Sequence, residues 1–210
     1  MAFSRPRSYR ETDLSYGSLM VSLIQLWREF GELRLAAVTQ ALLFGAFTAF
    51  WSILALHLQE PRFGQGAEVA GLFGIVGAVG ILVAPLAGRF ADKHGPQKVI
   101  LAGTILTVIS WAIFGLWSSI VGLAVGCILL DFAVQSVLVS NQYIVYALRP
   151  VARARLNTIF MGSMFLGGAG GAAAATAAWG AGGWNAVSIL GIALAVIASI
   201  LQIGAARNVR

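Results

Sequence analysis

Acidic side chains are scarce in this 210-residue chain: eight Asp and Glu stand against fourteen Lys and Arg, and there are two His. The apolar stretches hold no pair of carboxylates, no His/Cys/Glu set with metal-ligand spacing, no Ser-centred nucleophile elbow and no phosphate loop, so no enzyme, metal or cofactor is expected. The one cysteine, Cys127, excludes an intrachain disulfide and falls inside an apolar segment, where it reads as a small buried hydrophobe. Long polar stretches are missing as well. Hydrophobic residues make up 59% of the chain and charged residues 10%, whereas soluble domains average about half apolar and about a quarter charged. A soluble core cannot use that much apolar surface.

What is present is a series of apolar segments, Leu35 to Leu58, Val69 to Phe90, Val99 to Trp117, Ile120 to Leu148, Leu156 to Trp179 and Trp184 to Ala206. Each is close to the length that crosses a hydrocarbon core as a helix. The basic residues sort themselves by loop. Arg5, Arg7, Arg10, Arg28 and Arg34 precede the first segment; Arg89, Lys93 and Lys98 follow the second; Arg149, Arg153 and Arg155 follow the fourth; Arg207 and Arg210 end the chain. Arg62 alone falls in the other set of loops. The positive-inside bias places both termini and the two basic loops in the cytoplasm and the loop around Arg62 outside. The net charge of +6 then faces anionic headgroups, and nucleic acid is not an expected partner.

Residues 1–17 are too polar to pack and read as a cytoplasmic tail. In residues 18–34, Leu19, Leu23, Leu26, Trp27 and Phe30 share one helical face while Ser22, Gln25, Arg28 and Glu29 occupy the other. This is the pattern of an interfacial helix that feeds the first span. Residues 35–206 form the transmembrane domain and residues 207–210 a second cytoplasmic tail. His57, at the outer end of the first span, is expected at headgroup level. Arg153 and Arg155 are expected to anchor the fifth span.

Small residues concentrate in two spans. The second has Gly71, Gly74, Gly77, Gly80, Ala84 and Gly88, with Pro85 a candidate kink; the fifth has Gly162, Gly167, Gly168, Gly170 and Gly171 before an alanine run. Within a bilayer, helices associate by close packing, so Gly167, Gly168 and Gly171 are candidate packing positions. A contact with another six-helix unit, a part in conformational change, and simple bundle filling are all open at this point.

The loop after the second span reads Gly88-Arg-Phe-Ala-Asp92-Lys93-His-Gly95-Pro96-Gln97-Lys98. It resembles motif A of the major facilitator superfamily through Gly88, Asp92, Lys93 and Gly95, and departs from it at Pro96 and Gln97, where basic residues are usual. Further on, Leu130-Asp131, Gln135, Asn141-Gln142, Leu148-Arg149-Pro150, Arg153, Arg155-Leu156-Asn157 and Phe165-Leu166-Gly167-Gly168 occur in an order similar to the second half of bacterial drug-efflux and sugar-efflux members. The resemblance covers nearly everything from Ser18 onward. It implies an all-α membrane protein whose six transmembrane helices form one half of a major-facilitator-like bundle in the cell (inner) membrane.

Within that expectation two helix faces stand out. Asp131, Gln135 and Gln142 fall in a narrow arc of the fourth span, and Gln40, Phe44, Phe47 and Trp51 form a mostly aromatic stripe on the first. An ionised Asp at mid-span costs on the order of 3 kcal/mol, so Asp131 should face protein or water. The resemblance implies that the first, second, fourth and fifth spans of a half line a central cavity, which would bring the two stripes together around a small organic or lipophilic solute. Proton-coupled efflux with Asp131 carrying the proton is the expected function. Packing aromatics, and an Asp131 that merely bonds a neighbouring helix, are the plainer alternatives. The partners implied are a solute, a proton, the bilayer, and a second six-helix half or a second copy. The reading from a different class is a non-transporting membrane interaction protein or an inactive remnant.

Overall fold

The computed structural model describes residues 16–82, 89, 93 and 95–208, and all regular structure among them is helical. The helices are α1 (Tyr16–Glu29), α2 (Gly31–Leu58), α3 (Ala67–Leu82), α4 (Pro96–Leu116) and α5 (Ile120–Leu148), then a short 3-10 turn (Pro150–Ala152) and a last run, Arg153–Asn208. Four of these helical stretches are long and apolar enough to cross a membrane, namely Gly31–Leu58, Pro96–Leu116, Ile120–Leu148 and Pro150–Arg207. The last of them counts 58 residues, or about 85 Å of straight helix against a hydrocarbon core of about 30 Å. It does not run straight. Gly182 (φ −160, ψ 23) and Gly183 (φ 59, ψ −148) leave helical geometry, so residues 153–181 and 184–208 are two helices, α6 and α7, meeting at a glycine corner.

The boundaries follow from local chemistry. Ser119 caps α5 by accepting a hydrogen bond from the Gly122 N–H at 3.0 Å. Gly95, at φ 89, takes a conformation that other residues avoid, and Pro96 follows in the first turn of α4, where its missing N–H costs nothing. Phe30 is extended (φ −104, ψ 106) and forms an elbow between α1 and α2. Helix α1 therefore stops at Glu29, and residues 31–34, expected to belong to the same helix, open α2 instead. Leu26 is buried with Leu33, Ala152, Leu156 and Phe160, so the bundle takes part of the apolar face expected to meet lipid.

The core is centred on α2, which packs against α3, α5, α6 and α7. Phe50 stacks on Phe114 of α4 at 4.4 Å and meets Trp184 of α7 edge-on at 6.4 Å. Buried side-chain bonds lock α2 on two sides: Gln202 donates to Thr39 at 2.8 Å from α7, and Asn141 donates to Gln40 at 3.3 Å from α5. His57, expected at headgroup level, is enclosed by protein. It is 1% exposed and stacks on Trp184 at 3.8 Å, bounded by Glu60 and Arg62, because the glycine corner brings Trp184 over the end of α2. The leader through Ser15, Pro85, and Gly88 and Asp92 of the motif loop lie outside the described residues. Lys93 is exposed.

Candidate functional site

Asp131 lies in the middle of α5 and is 3% exposed. One turn earlier on the same helix, the Cys127 S–H donates to its Oδ2 at 3.5 Å. Across from it stands α3, and the contact there is backbone: a Cβ at Gly77 would lie 3.2 Å from Asp131 Oδ2 and 3.1 Å from the Trp51 ring of α2. Glycine lets the carboxyl and the indole edge close on a bare Cα. The Trp51 Nε1 is itself buried and without an acceptor among the described residues. Three helices thus converge on one carboxyl, which has one weak donor among the described residues.

An aromatic row leads away from this junction. Phe47 stands 6.1 Å from Trp51, Phe44 stacks on Phe47 at 5.6 Å, and Phe165 of α6 meets Phe44 edge-on at 5.9 Å. Phe44, Phe47 and Trp51 are half-buried, and Phe165 is 58% exposed. The row therefore presents a continuous apolar face that runs from α6 across α2 to the carboxyl. Helical spacing displays the α2 members in the sequence. It does not display Phe165, Gly77 and Cys127 as members of the site, because their places depend on how separate helices meet.

The expected polar stripe divides. Asp131 turns to α3, Gln142 donates to Met161 Sδ of α6 at 3.7 Å, and Gln135 is half-buried without a hydrogen bond among the described residues. Beyond Gln142, the Tyr146 hydroxyl donates to Asn157 Oδ1 at 2.6 Å, closing a polar seam between α5 and α6. Gln40 shares its helix face with the aromatic row, yet it is fully buried against Asn141, and its Nε2 has no partner among the described residues. In this conformation it ties α2 to α5.

Gly167, Gly168 and Gly171 of α6 face α2 of the same chain. Gly45 and Gly171 approach backbone to backbone, a Cβ on Gly168 would come 2.6 Å from Phe44, and the Thr48 hydroxyl donates to the Gly168 carbonyl at 2.7 Å. These three therefore serve packing within the chain. Open positions are Gly162, Gly170 and Gly180 on α6 and Gly71 and Gly74 on α3, each without a neighbour within 4 Å of an added Cβ. A shallow apolar groove of about 300 Å³ lies among α2, α6 and α7, lined by Ala37, Ala41, Gly45, Gly167 and Leu194. It includes none of the polar residues above.

Comparison with known sequences finds proteins named as transporters. The protein named Uncharacterized transporter YgaY in Escherichia coli O157:H7 is 37% identical over 193 residues, which cover 91% of this chain and 49% of that protein. The one named Probable transporter SCO4007 in Streptomyces coelicolor is 33% identical over 170 residues, 80% of this chain and 39% of its own length. The chain thus spans about half the length of the curated relatives it matches, or less. The profile of the Major Facilitator Superfamily matches residues 13–206, and by that match the chain belongs to the Major Facilitator Superfamily.

Proposed function

We propose that this chain is the C-terminal six-helix half of a secondary active transporter that exports a small, lipophilic organic solute in exchange for protons. In this reading the six spans are α2, the second apolar segment of the sequence, to which α3 belongs, α4, α5, α6 and α7, with both ends of the chain and the loops at Lys93 and Arg153 in the cytoplasm. The observation that carries the reading is the meeting of Asp131, Trp51 and Gly77 at the end of the Phe165–Phe44–Phe47 row. An acidic group buried inside a membrane bundle is retained at a cost and marks ion or solute pathways. Here it stands where an aromatic face for an apolar solute ends.

The open glycines of α3 and α6, with the exposed Leu72, Ile75 and Leu166 beside them, are the faces assigned to the other half or to a second copy. Close backbone approach across such faces permits two units to rock against each other around a site at their seam. The test is flux. The protein, purified in mild detergent with whatever it pairs with, is placed in proteoliposomes carrying a pH gradient and offered a panel of lipophilic dyes. Solute-dependent dissipation of the gradient is expected, and dye movement indifferent to the gradient would overturn the proton-coupled reading.

A further inference from the structure

The surface of α1 divides into three sectors, and two of them have evident neighbours. At about 100° per residue, Leu19, Leu23, Leu26 and Phe30 form one arc. This arc meets the bundle: Leu26 is 3% exposed and packs with Leu33, Ala152, Leu156 and Phe160, with Phe30 and Trp27 beside them. Ser18, Gln25 and Glu29 form a polar arc, all exposed, as water requires. The third arc is apolar and uncovered, with Met20 at 40%, Val21 at 53% and Ile24 at 55% exposure, and Arg28 at its C-terminal end.

The helix is held at a definite depth. Arg34 Nη1 donates to the carbonyls of Trp27 at 2.7 Å and Arg28 at 2.8 Å, satisfying C-terminal acceptors of α1 from the first turn of α2. Arg149, just past the end of α5, pairs with Glu29 and lies over the Phe30 ring at 5.3 Å. Both clasps stand where apolar spans start or finish, so α1 lies at the rim of the hydrocarbon layer. At that level, an apolar arc next to a polar one, with an arginine whose stem can reach up from the first, matches the boundary between acyl chains and headgroup phosphates.

We infer that α1 is a membrane-surface strut, with its Leu19/Leu26/Phe30 arc fixed to the bundle, its Met20/Val21/Ile24 arc inserted among the acyl chains of the adjoining leaflet, and Arg28 on the phosphates. This assigns the lipid-facing role to a different arc from the one that amphipathic patterning selects. It does not depend on the solute or on proton coupling. The test uses spin labels on single cysteines in a Cys127→Ala background, with the full chain in phosphatidylcholine vesicles containing phosphatidylglycerol. Labels at Met20→Cys and Ile24→Cys should collide with dissolved oxygen several-fold more than with a water-soluble nickel chelate, and Gln25→Cys should show the reverse order. Chelate access at Ile24 equal to that at Gln25 would overturn the proposal, as would protection of Met20 and Ile24 from both reagents, which would mean a protein partner covers the arc.

Discussion

Gly77 and Asp131 touch across the contact of α3 with α5, a bare Cα on one side and a carboxylate oxygen on the other, with room for an added methyl only at 3.2 Å. The size of residue 77 therefore sets how closely α3 can cover the carboxyl. Gly77→Ala requires Trp51 and Asp131 to give by a few tenths of an ångström, and Gly77→Ile requires a rearrangement that costs about 1–3 kcal/mol. Cys127 is fully buried and is the single cysteine, so its reaction with a thiol dye on heating reports opening of the bundle. The expected order of thermal stability is wild type, then Gly77→Ala, then Gly77→Ile. An isoleucine variant as stable as wild type would show that α3 does not bear on the carboxyl.

The two faces of α6 should respond very differently to size. Gly171 meets the backbone of Gly45, which cannot swing aside as a side chain can, whereas neighbouring Gly170 has open space. Gly171→Leu should destabilise the folded chain by at least the roughly 1–3 kcal/mol of core overpacking and reduce the yield of monodisperse protein. Gly170→Leu should leave folding of the chain nearly unchanged. If it instead weakens association with a second half, as judged by co-purification, the open face of α6 is the seam.

The α6–α7 corner depends on glycine at one of its two positions. Gly183 has φ 59 and ψ −148, a region essentially reserved for glycine, while Gly182 at φ −160 is extended backbone. Gly183→Ala should cost about 1–3 kcal/mol, read as an earlier onset of Cys127 labelling on heating. Gly180→Ala, in open space one turn away, is the control and should match wild type. The corner also delivers Trp184, whose indole N–H donates at 2.8 Å to the Phe114 carbonyl, an acceptor left free by the end of α4. Trp184→Phe should cost about 1–2 kcal/mol by stranding that carbonyl.

Much of the helical pattern is legible in the amino-acid sequence, for reasons that particular residues make plain. The apolar run from Ile120 to Leu148 gives α5 to the residue, because Ser119 caps one end and Pro150 follows the other. The aromatic row of α2 is legible because it repeats on one helical face. What one-dimensional pattern cannot give is which helix answers which. His57 has the position of a headgroup residue, yet the Gly182–Gly183 corner brings Trp184 over it. Gln40 has the spacing of a cavity residue, and in this conformation it bonds Asn141, a residue 101 positions away. The glycines of α6 look alike in sequence, but Gly171 is inside and Gly170 outside, a distinction that depends on where Gly45 falls.

The decisive functional prediction concerns Asp131, the one acidic residue deep within a described helix. Among the described residues no cation is paired with it: the Cys127 thiol donates to it, and the Gly77 backbone, which also borders Trp51, lies against it. A buried carboxylate without a paired cation is costly, and in the proposed mechanism a proton supplies the counter-charge. Asparagine preserves size and hydrogen bonding and cannot titrate. Asp131→Asn should therefore keep expression, thermal stability and solute-for-solute exchange near wild type, while abolishing transport driven by a pH gradient. Asp131→Glu lengthens the side chain into the Gly77 contact and should keep coupling at a reduced rate. An asparagine variant that still couples solute movement to the gradient would leave Asp131 as a hydrogen-bonding group of the α3/α5 contact and move the search for the proton site to another residue.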